Sequence, residues 1–222
     1  MQEFYFKDIN STQEYAKKLY LENKFDFVVY ADSQRAGHGR NGKEWWSPNG
    51  GLWFSFDMEF NDNGLFTMAI GVAVREVLEE VYKIKVELKW PNDLIVYDKK
   101  VGGIICEKVN DRVAVGIGIN TNNKEIFNKE IASTFIHNTE KTVDNYRLMN
   151  EIITRCKKYM NSKSEDIIES FRRNFSFRGR KFFVSILKKV VNIIDINSNG
   201  YLLVENDEGI KEINSGEINV CI

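Results

Sequence analysis

The sequence has 222 residues, and its 31 lysines and arginines nearly balance its 32 aspartates and glutamates, giving a formal net charge of −1. This balance argues against a nucleic-acid coat protein, which needs a large cationic surplus. No apolar run approaches the roughly 20 residues of a membrane-spanning helix, and the three widely spaced cysteines and two histidines argue against a disulfide framework and a zinc enzyme. Because the N-terminus also lacks the layout of a signal peptide, we expect a cytoplasmic protein that binds neither DNA nor a membrane.

The first part of the chain predicts one helix and two strands around a long loop. Residues 11–14, STQE, have the layout of a helix-capping box and precede a helix-permitting run. Residues 25–31 are apolar and aromatic, which is typical of a buried strand. Residues 32–51 carry five glycines, one proline and three cations without periodicity, which predicts a loop, and a loop of this length is usually functional. Apolar residues on every second position of 52–58 predict a half-exposed strand.

The rest of the chain predicts a mixed helical and sheet region followed by a small β region. An apolar stripe indicates a helix over 65–82, and two more helices are predicted at about 144–160 and 164–175. Strands are predicted at 86–90, 94–97, 101–109 and 112–120, with tight turns at 98–99 and 110–111. After residue 176, short strands alternate with Asn, Gly and Asp turns at the spacing of a small barrel. We therefore divide the chain into a first domain, 1–175, and a second domain, 176–222.

The loop contains G-x-G-x-x-G at 37–42, a pattern found in dinucleotide-binding turns. That interpretation requires the third glycine to open a helix, whereas the KEWWSPNGG that follows predicts none. What remains is a basic, glycine-rich loop with Arg40 and Lys43, and its cations and exposed N–H groups suit a polyphosphate or a carboxylate. The alternative is a flexible surface loop without a role. At its end Trp45 is a candidate apolar platform, whereas we expect Trp46 to pack in the core.

A second polar segment reads KWPND at 89–93, and Lys100 opens the strand that returns from it. If this hairpin is regular, Lys89, Asn92 and Asp93 lie at one end of it and Lys100 returns beside them. Each fragment alone has an ordinary explanation, since Asn-Asp after proline is a common turn and strand lysines usually face solvent. The glycines at 102–103 are harder to dismiss, because glycine inside a strand marks a close approach of a ligand or of backbone. Asn120 closes another glycine-bearing strand.

Taken together, these segments resemble the biotin–protein ligases, over essentially the whole chain. The resemblance rests on Ser-Thr at 11–12, GHGRNGKEW at 37–45, KWPND at 89–93, KVGGI at 100–104, GIGIN at 116–120 and a small β region that ends in GE-I. Lipoate and octanoyl transferases share the fold, but KWPND with a lysine on the returning strand favours biotin. Ligases that double as repressors carry an additional N-terminal helix-turn-helix domain. This sequence starts within ten residues of the first motif and so resembles the monofunctional class.

The resemblance implies an α+β fold, with a central mixed β-sheet and flanking helices as in class II synthetases, plus a small C-terminal SH3-like β-barrel. It implies a reaction in two steps that uses ATP and Mg²⁺. The carboxylate of biotin attacks the α-phosphate of ATP to give biotinyl-5′-adenylate, and the ε-amine of a lysine then attacks the acyl carbon and releases AMP. The implied partner is the biotin carboxyl carrier protein domain of acetyl-CoA carboxylase or a related carboxylase. Edge strands could also pair in a homodimer.

The resemblance also implies roles for individual residues. Lys100 is the first candidate for holding both anions, and Arg40 is the second catalytic cation. Asp93 would hold magnesium or orient Lys100. The residues implied in biotin binding are Ser11, Thr12, Gln13, Gln34, Gly37, His38, Gly39, Arg40, Lys100 and Gly103. Those implied in binding ATP or the adenylate are Arg40, Lys43, Trp45, Lys89, Asn92, Lys100 and Asn120.

Three positions depart from the family pattern. His38 and Lys43 stand where arginine is usual, and Gln13 stands where asparagine is usual. Histidine is mostly neutral at pH 7 and lysine cannot make a bidentate contact, which predicts a weaker hold on the intermediate. We also expect the loop to be mobile when empty and to order over the intermediate, because an acyl-adenylate must be kept from water.

Three other interpretations stay open. A relative of the same fold could bind biotin as a sensor without catalysis, although binding alone does not require so many cations at a phosphate position. The β region at 180–222 is similar to small nucleic-acid-binding folds, but it lacks an extended aromatic and basic stripe. Within the enzyme class, lipoate attachment is the alternative to biotin attachment.

Overall fold

The computed structural model describes residues 1–59, 65–126, 128, 132–216 and 218–219. Within these residues the chain has the expected α+β fold, with two β-sheets and flanking helices. The helices are α1 (Thr12–Leu21), α2 (Phe66–Tyr82), α3 (Phe135–Thr139), α4 (Asn145–Tyr159) and α5 (Ser164–Arg173). The strands are β1 (Gln2–Ile9), β2 (Phe27–Gln34), β3 (Leu52–Glu59), β4 (Glu87–Lys89), β5 (Asp93–Val96), β6 (Lys99–Val109), β7 (Arg112–Ile119), β8 (Lys181–Val184), β9 (Lys189–Ile196), β10 (Leu202–Asn206), β11 (Gly209–Ile213) and β12 (Ile218–Asn219). None of the described helices has the length and apolar character needed to cross a membrane.

The central sheet has seven strands in the order β1-β2-β3-β7-β6-β5-β4. β1 pairs with β2 in parallel and the other neighbours pair antiparallel, so the sheet is mixed as expected. The sequence does not predict β1, because its apolar and aromatic residues 4–6 are consecutive rather than alternating. Phe4 and Phe6 both pack against Tyr15 of α1, with ring centroids 5.8 and 4.8 Å apart. Packing against this helix therefore helps to hold β1 at the sheet edge.

Strand β3 is buried on both faces, which corrects the half-exposed strand predicted from its alternation. Phe54 and Phe56 point into the main hydrophobic core together with α2 and α4. On the opposite face Ser55 contacts α1 through Thr12. The polar residues that suggested solvent exposure face a second covered surface. The alternation therefore separates an apolar buried face from a polar buried face, not a buried face from an exposed one.

Local signals in the sequence place most elements correctly. The helices expected over 65–82, 144–160 and 164–175 are confirmed with small shifts at their ends. Ser11 is the N-cap of α1, and its Oγ accepts a hydrogen bond from the Glu14 backbone N–H at 3.3 Å. The predicted turn at 98–99 is wrong by one residue, because Tyr97 and Asp98 occupy the left-handed region with φ of 48° and 60°. Lys100 is accordingly the second residue of β6 rather than the first.

The C-terminal sheet has five antiparallel strands in the order β11-β10-β9-β8-β12. Its apolar residues join the same core cluster as the central sheet. Four phenylalanines cross the region between α5 and β8, with successive ring centroids 6.0, 5.9 and 5.1 Å apart: Phe171, Phe175, Phe177 and Phe182. The division into domains at 175/176 falls within this packed aromatic run and stays a prediction.

Candidate active site

A cavity of about 400 Å³ lies among the N-terminus of α1, the loop after β2, and strands β3, β6 and β7. All but one of the residues predicted for the site line it. Those residues are Ser11, Thr12, Gln13, Gln34, His38, Gly39, Arg40, Lys43, Trp45, Lys89, Asn92, Asp93, Lys100, Gly103 and Asn120. Segments up to about a hundred positions apart in sequence thus meet at one surface.

Gly37 is the exception, and it shapes the loop rather than lining the cavity. Its carbonyl accepts a hydrogen bond from the Trp45 N–H at 2.8 Å. A Cβ at this position would lie 2.6 Å from both Ser47 Oγ and the Trp45 carbonyl oxygen, which real Cβ atoms do not tolerate. Glycine is therefore required for the loop to close on itself.

The loop after β2 is more ordered than the sequence predicts. Its two arms pair through Gln34 N–H to Ser47 O at 3.0 Å and Gly39 N–H to Lys43 O at 2.7 Å. The tip is a short 3-10 turn at Arg40–Gly42, in which Asn41 has φ of 57°. The expected irregular loop is thus a hairpin-like segment that already presents residues 38–40 and 43–45 to the cavity.

One wall of the cavity is a set of hydroxyl and amide groups that bond to one another. Gln34 Oε1 accepts hydrogen bonds from Thr12 N–H at 2.8 Å and Thr12 Oγ1 at 3.0 Å, and Gln34 Nε2 donates to Ser47 Oγ at 2.8 Å. Thr12 Oγ1 also lies 2.9 Å from Ser55 Oγ. These bonds fix which end of the Gln34 amide accepts and which donates.

Gln13 is almost fully buried, with 3% of its surface exposed. Its Nε2 donates to Glu107 Oε2 at 2.9 Å and to the Ala114 carbonyl at 3.0 Å. Its Oε1 has no hydrogen-bond partner among the described residues, and it lies 2.5 Å from where a Cβ on Gly116 would be. A buried acceptor without a partner costs roughly 1–3 kcal/mol, so this oxygen is suited to a donor on a ligand.

Charged groups surround His38 at the rim. His38 Nε2 lies 3.0 Å from Glu14 Oε1, and Lys17 Nζ pairs with Glu14 at 2.6 Å and with Glu107 at 3.2 Å. The bond to Lys17, followed by that to His38, lowers the pKa of Glu14 against the effect of burial. In the described part of the chain, only Glu14, His38 and Glu107 bring three possible metal-ligand atoms within 4.8 Å. The Lys17 ammonium already bonds both carboxylates, so one of their two negative charges is balanced without a metal ion.

Lys100 lies where the hairpin argument places it. Its Nζ is 2.7 Å from Asp93 Oδ1 and 5.0 Å from the centroid of the Trp45 ring. A Cβ on Gly103 would lie 3.4 Å from Lys100 Cε, an ordinary contact, so Gly103 lies directly beside the lysine side chain. The side chain is 33% exposed, so the ammonium is not buried. The ion pair and the ring, rather than burial, hold this charge in position.

Arg40 connects the loop to both sheets. Its Nη1 donates to the Gly216 carbonyl at 3.2 Å and to Asn92 Oδ1 at 3.5 Å, and Asn92 Nδ2 donates to the Ile104 carbonyl at 2.8 Å. Asn120 is buried, and its Nδ2 donates to the Ser133 carbonyl at 3.1 Å. The two asparagine amides are therefore partly committed to holding the backbone around the cavity.

The two tryptophans of the loop were expected in different environments, one at the site and one in the core, but both line the cavity. Trp45 lines the cavity, packs edge-on against Trp53 with ring centroids 6.4 Å apart, and has an indole N–H without a partner among the described residues. Trp46 also lines the cavity and is 36% exposed, so the expectation that it packs in the core is wrong.

The lining residues that sequence reasoning did not assign to the site include Ser55, Gly116 and Gly118. A Cβ on Gly118 would lie 2.5 Å from Trp45 Nε1, so both glycines of β7 leave room on the cavity floor. Alternating glycines inside an apolar strand were the available signal. Ser55 gave no signal of its own, because a serine on a strand ordinarily faces water.

The described cysteines do not contribute a nucleophile. Cys106 and Cys156 are unbridged, and neither lines the cavity. Burial raises the pKa of the Cys106 thiol to about 12 and also raises that of Cys156. Both thiols are therefore protonated at neutral pH. Cys221 lies outside the described residues.

Two family models match the chain. The model of the biotin/lipoate A/B protein ligase family matches residues 5–122, and that of the biotin protein ligase C-terminal domain matches residues 187–220. The first match contains the loop, Lys100 and the glycines of β7, and the second overlaps strands β9 to β12 of the C-terminal sheet.

Individual relatives agree with these matches. The chain is 32% identical to the bifunctional ligase/repressor BirA of Bacillus subtilis over 96% of its own length and 72% of that protein, and 29% identical to the chloroplastic biotin–protein ligase 1 of Arabidopsis thaliana over 90% of its length and 61% of that protein. The biotin protein ligase of Aquifex aeolicus, solved in complex with biotin and ATP, has 32% identity and a TM-score of 0.87 and covers 98% of this chain and 97% of that one. This chain belongs to the biotin/lipoate A/B protein ligase family.

Proposed function

We propose that this chain is an ATP-dependent biotin–[biotin carboxyl carrier protein] ligase, which makes biotinyl-5′-adenylate and transfers the biotinyl group to a lysine of a carrier domain. The observation that carries the proposal is that one cavity contains both a buried wall of hydroxyl and amide groups and the cations Lys100 and Arg40. The wall suits a neutral polar ring, and the cations suit the anions that the reaction joins. Relatives named as biotin–protein ligases support this assignment.

In the first step, a carboxylate oxygen of biotin bonds to the α-phosphorus of ATP and the bond to pyrophosphate breaks. Two anions must approach each other, so cations fixed before the reaction lower its barrier. We assign Lys100 to bridging the carboxylate and the α-phosphate, because Asp93 and the Trp45 ring hold its ammonium at the cavity surface. Arg40 is assigned to the phosphates, and its contact with Gly216 places that charge at the junction of the two sheets.

In the second step, the ε-amine of the carrier lysine bonds to the acyl carbon, the bond to AMP breaks and the amine loses a proton. Negative charge then grows on the phosphate oxygen that leaves. The same Lys100 ammonium lies beside that oxygen if the adenylate stays in place, so one residue serves both steps. Removing it should depress adenylate formation and transfer alike.

The remaining lining residues are assigned by the chemistry of their side chains. Trp45 offers an apolar face where the hydrocarbon chain and adenine would meet. Ser11, Thr12, Gln13 and Gln34, with the backbone at 38–40, are assigned to the biotin head and carboxylate. Lys43, Lys89, Asn92 and Asn120 are assigned to the nucleotide.

Biotin fits the wall better than lipoate does. The ureido ring of biotin carries two N–H donors and one carbonyl acceptor, whereas the dithiolane ring of lipoate carries no N–H or O–H group. Gln13 Oε1 lacks a partner in the described part of the chain, and a dithiolane would leave it so. The cost of that unpaired acceptor, roughly 1–3 kcal/mol, corresponds to about a 5- to 150-fold preference for biotin.

Magnesium is proposed only as the ion that accompanies ATP. Asp93 and Glu44 are the carboxylates of the described lining, and Asp93 is paired with Lys100. Mg²⁺ in nucleotide sites is bound mainly by phosphates and water with one or two carboxylates, so these residues do not provide a metal centre by themselves. We therefore assign Asp93 to orienting Lys100.

An exchange and transfer assay tests the proposal. The protein is incubated with ATP, magnesium and either labelled biotin or labelled lipoate, and both ATP–pyrophosphate exchange and label transfer to biotinyl and lipoyl carrier domains are measured. Biotin-dependent exchange with transfer only to the biotinyl domain is expected. Biotin binding without exchange would contradict the proposal in favour of a sensor, and transfer of lipoate would contradict it in favour of a lipoate ligase.

Closure of the loop is a separate prediction. Arg40 and Lys43 are trypsin sites at the tip of the hairpin. If the loop opens when the site is empty and closes over the intermediate, biotin plus ATP should slow tryptic cleavage at residues 40–43 by about tenfold. Cleavage at the same rate with and without ligands would show that the hairpin needs no ligand to stay closed.

A further inference from the structure

A second cavity, of about 300 Å³, lies between the β1–β2–β3 edge of the central sheet and the first turn of α4. None of the residues that line it lines the first cavity. The biotin ligase reaction gives it no role. Its lining combines aromatic rings, a carboxylate and a side-chain amide.

Three tyrosines from three different elements form its aromatic surface. The ring centroids of Tyr5 and Tyr30 are 5.3 Å apart, and those of Tyr30 and Tyr146 are 5.9 Å apart. Tyr5 is 53% exposed and Tyr146 is 48% exposed, so ring faces are open to solvent. The faces of aromatic rings are negative, and they attract cations that come within about 6 Å of the ring centre.

Two carboxylates add full negative charge beside these rings. Tyr5 Oη donates to Asp32 Oδ2 at 2.8 Å, and Tyr146 Oη donates to Glu3 Oε1 at 3.0 Å. Each carboxylate has several lone pairs, so these bonds orient Glu3 and Asp32 without saturating them. The hydrogen bonds to these carboxylates raise the pKa of Tyr5 and Tyr146, which keeps both hydroxyls neutral.

Cationic side chains flank this surface, but among the described residues none lines the cavity. The described lining contains Asp32 and no lysine or arginine. Lys7 follows Tyr5 by two positions on β1 and is exposed, whereas Arg147 pairs with Glu151 at 2.9 Å. The N-terminus of α4, which would repel a cation, is covered because the Asp144 carboxylate accepts from the N–H groups of the first turn.

Asn145 supplies an acceptor that has no partner. Its Nδ2 donates to the Gly50 carbonyl at 3.1 Å and to the Gly51 carbonyl at 3.0 Å, which fixes the orientation of the amide. Its Oδ1 is shielded from bulk water and accepts no hydrogen bond from any described residue. A ligand with several N–H donors would satisfy it.

We propose that this cavity binds a guanidinium group, such as that of an arginine side chain. A guanidinium is planar, stacks on aromatic faces and carries five donors in a fixed fork. It can therefore stack on the tyrosines while it donates to Asp32 and Asn145 Oδ1, which line the cavity, and Glu3 adds negative charge through its hydrogen bond with Tyr146. An ammonium has no flat face, and a neutral urea group lacks the charge.

Isothermal titration with two pairs of probes tests this proposal. One pair is N-acetyl-arginine methylamide and its citrulline counterpart, in which a urea of the same shape replaces the guanidinium. The other pair carries the same two side chains in a blocked Gly-X-Gly peptide. We expect saturable binding of the arginine probes and at least about tenfold weaker binding of the citrulline probes. Equal binding within both pairs, or no saturable binding, would overturn the proposal.

Variants locate the binding. Glu3→Gln retains a hydrogen-bond acceptor for the tyrosine, and Tyr146→Leu retains bulk, and each should weaken arginine binding by about three- to tenfold. Glu169→Gln removes an exposed carboxylate from α5, outside the cavity lining, and should leave binding unchanged. Melting curves show whether each variant is folded. Arginine binding that survives the Glu3→Gln/Tyr146→Leu double change would place the site elsewhere and overturn the assignment.

Discussion

Two buried polar clusters contain residues of strand β3, and they differ in whether their polar atoms are all hydrogen-bonded within the protein. In the closed cluster, Asp57 Oδ1 accepts from Tyr20 Oη at 2.9 Å and Arg112 Nε at 2.8 Å, while Oδ2 accepts from the Asp26 N–H at 2.6 Å and from Arg112 Nη2. In the open cluster, around Ser55, Gln13 Oε1 and Trp45 Nε1 have no partners among the described residues.

The difference separates a structural role from a binding role. A buried polar group is stable only when it is hydrogen-bonded, and the closed cluster meets this condition within the protein. The open cluster leaves some of its hydrogen-bonding atoms unpaired within the described residues, and a ligand can bond to them. Substitutions in the first should change the stability of the fold, and substitutions in the second should change ligand binding and catalysis while the fold survives.

The largest effect is expected in the closed cluster. Asp57→Ala removes a fully buried carboxylate and leaves the mostly covered Arg112 guanidinium, 17% exposed, without its main partner, so it should lower the free energy of unfolding by about 3–5 kcal/mol. Glu59→Ala is the matched control, because Glu59 pairs with the same arginine but is 88% exposed, and its loss should cost less than about 1 kcal/mol. Urea denaturation measures both. Similar losses in the two variants would show that burial does not distinguish these pairs.

The next effect is expected at Lys100. Lys100→Gln removes the charge that faces both anions, so biotin-dependent ATP–pyrophosphate exchange should fall by about 100- to 1,000-fold. Its unfolding free energy should change by less than about 1 kcal/mol, because the ion pair with Asp93 is partly exposed. The neighbouring Lys99→Gln, outside the cavity lining, is the control. Undiminished exchange in Lys100→Gln would mean that the chemistry takes place elsewhere.

A smaller effect is expected from filling the cavity floor. Gly118→Ala places a methyl group 2.5 Å from Trp45 Nε1, and the ring must move, so biotin affinity should fall by about tenfold. Gly71→Ala is the control, since its Cβ meets only ordinary contacts in α2 and should leave affinity unchanged. Titration calorimetry with biotin measures the difference. Unchanged affinity in Gly118→Ala would show that Trp45 yields without affecting the ligand.

The smallest effect is expected at His38. An arginine there carries a permanent charge, but Glu14 lies 3.0 Å from the His38 ring and would compete for it. His38→Arg should therefore slow dissociation of the adenylate by only about two- to fivefold. His137→Arg, on α3 away from the cavity, is the control. A chase of labelled adenylate gives both rates, and equal rates would show that charge at position 38 is immaterial.

The position of Lys100 beside Asp93 could be predicted, because it depends on one hairpin and on side-chain alternation along neighbouring strands. The helices could be predicted for a similar reason, since their apolar stripes are local. The exact position of the turn in this hairpin was not predicted. Tyr97 and Asp98 adopt positive φ, a conformation that glycine usually occupies, and no glycine marks the turn in the sequence.

Contacts between distant segments could not be predicted in this way. Glu107, which accepts a hydrogen bond from Gln13, lies 94 residues further along the chain. No pattern in the sequence around either residue indicates this pairing. Gln13 Oε1 lies 2.5 Å from where a Cβ on Gly116 would be, so its lack of a partner depends on how α1 and β7 pack together. Trp46 illustrates the same limit, because an exposed and a buried tryptophan look alike in the sequence until the surrounding elements are placed.

The aromatic run from Phe171 to Phe182 has a consequence for how the molecule comes apart. Because neighbouring rings touch from α5 into the C-terminal strands, cutting the chain there would expose apolar surface on both fragments. Heating should therefore melt the central and C-terminal sheets in one cooperative transition. The hydrogen bond from Arg40 to the Gly216 carbonyl should then break at the temperature at which the rest of the protein unfolds.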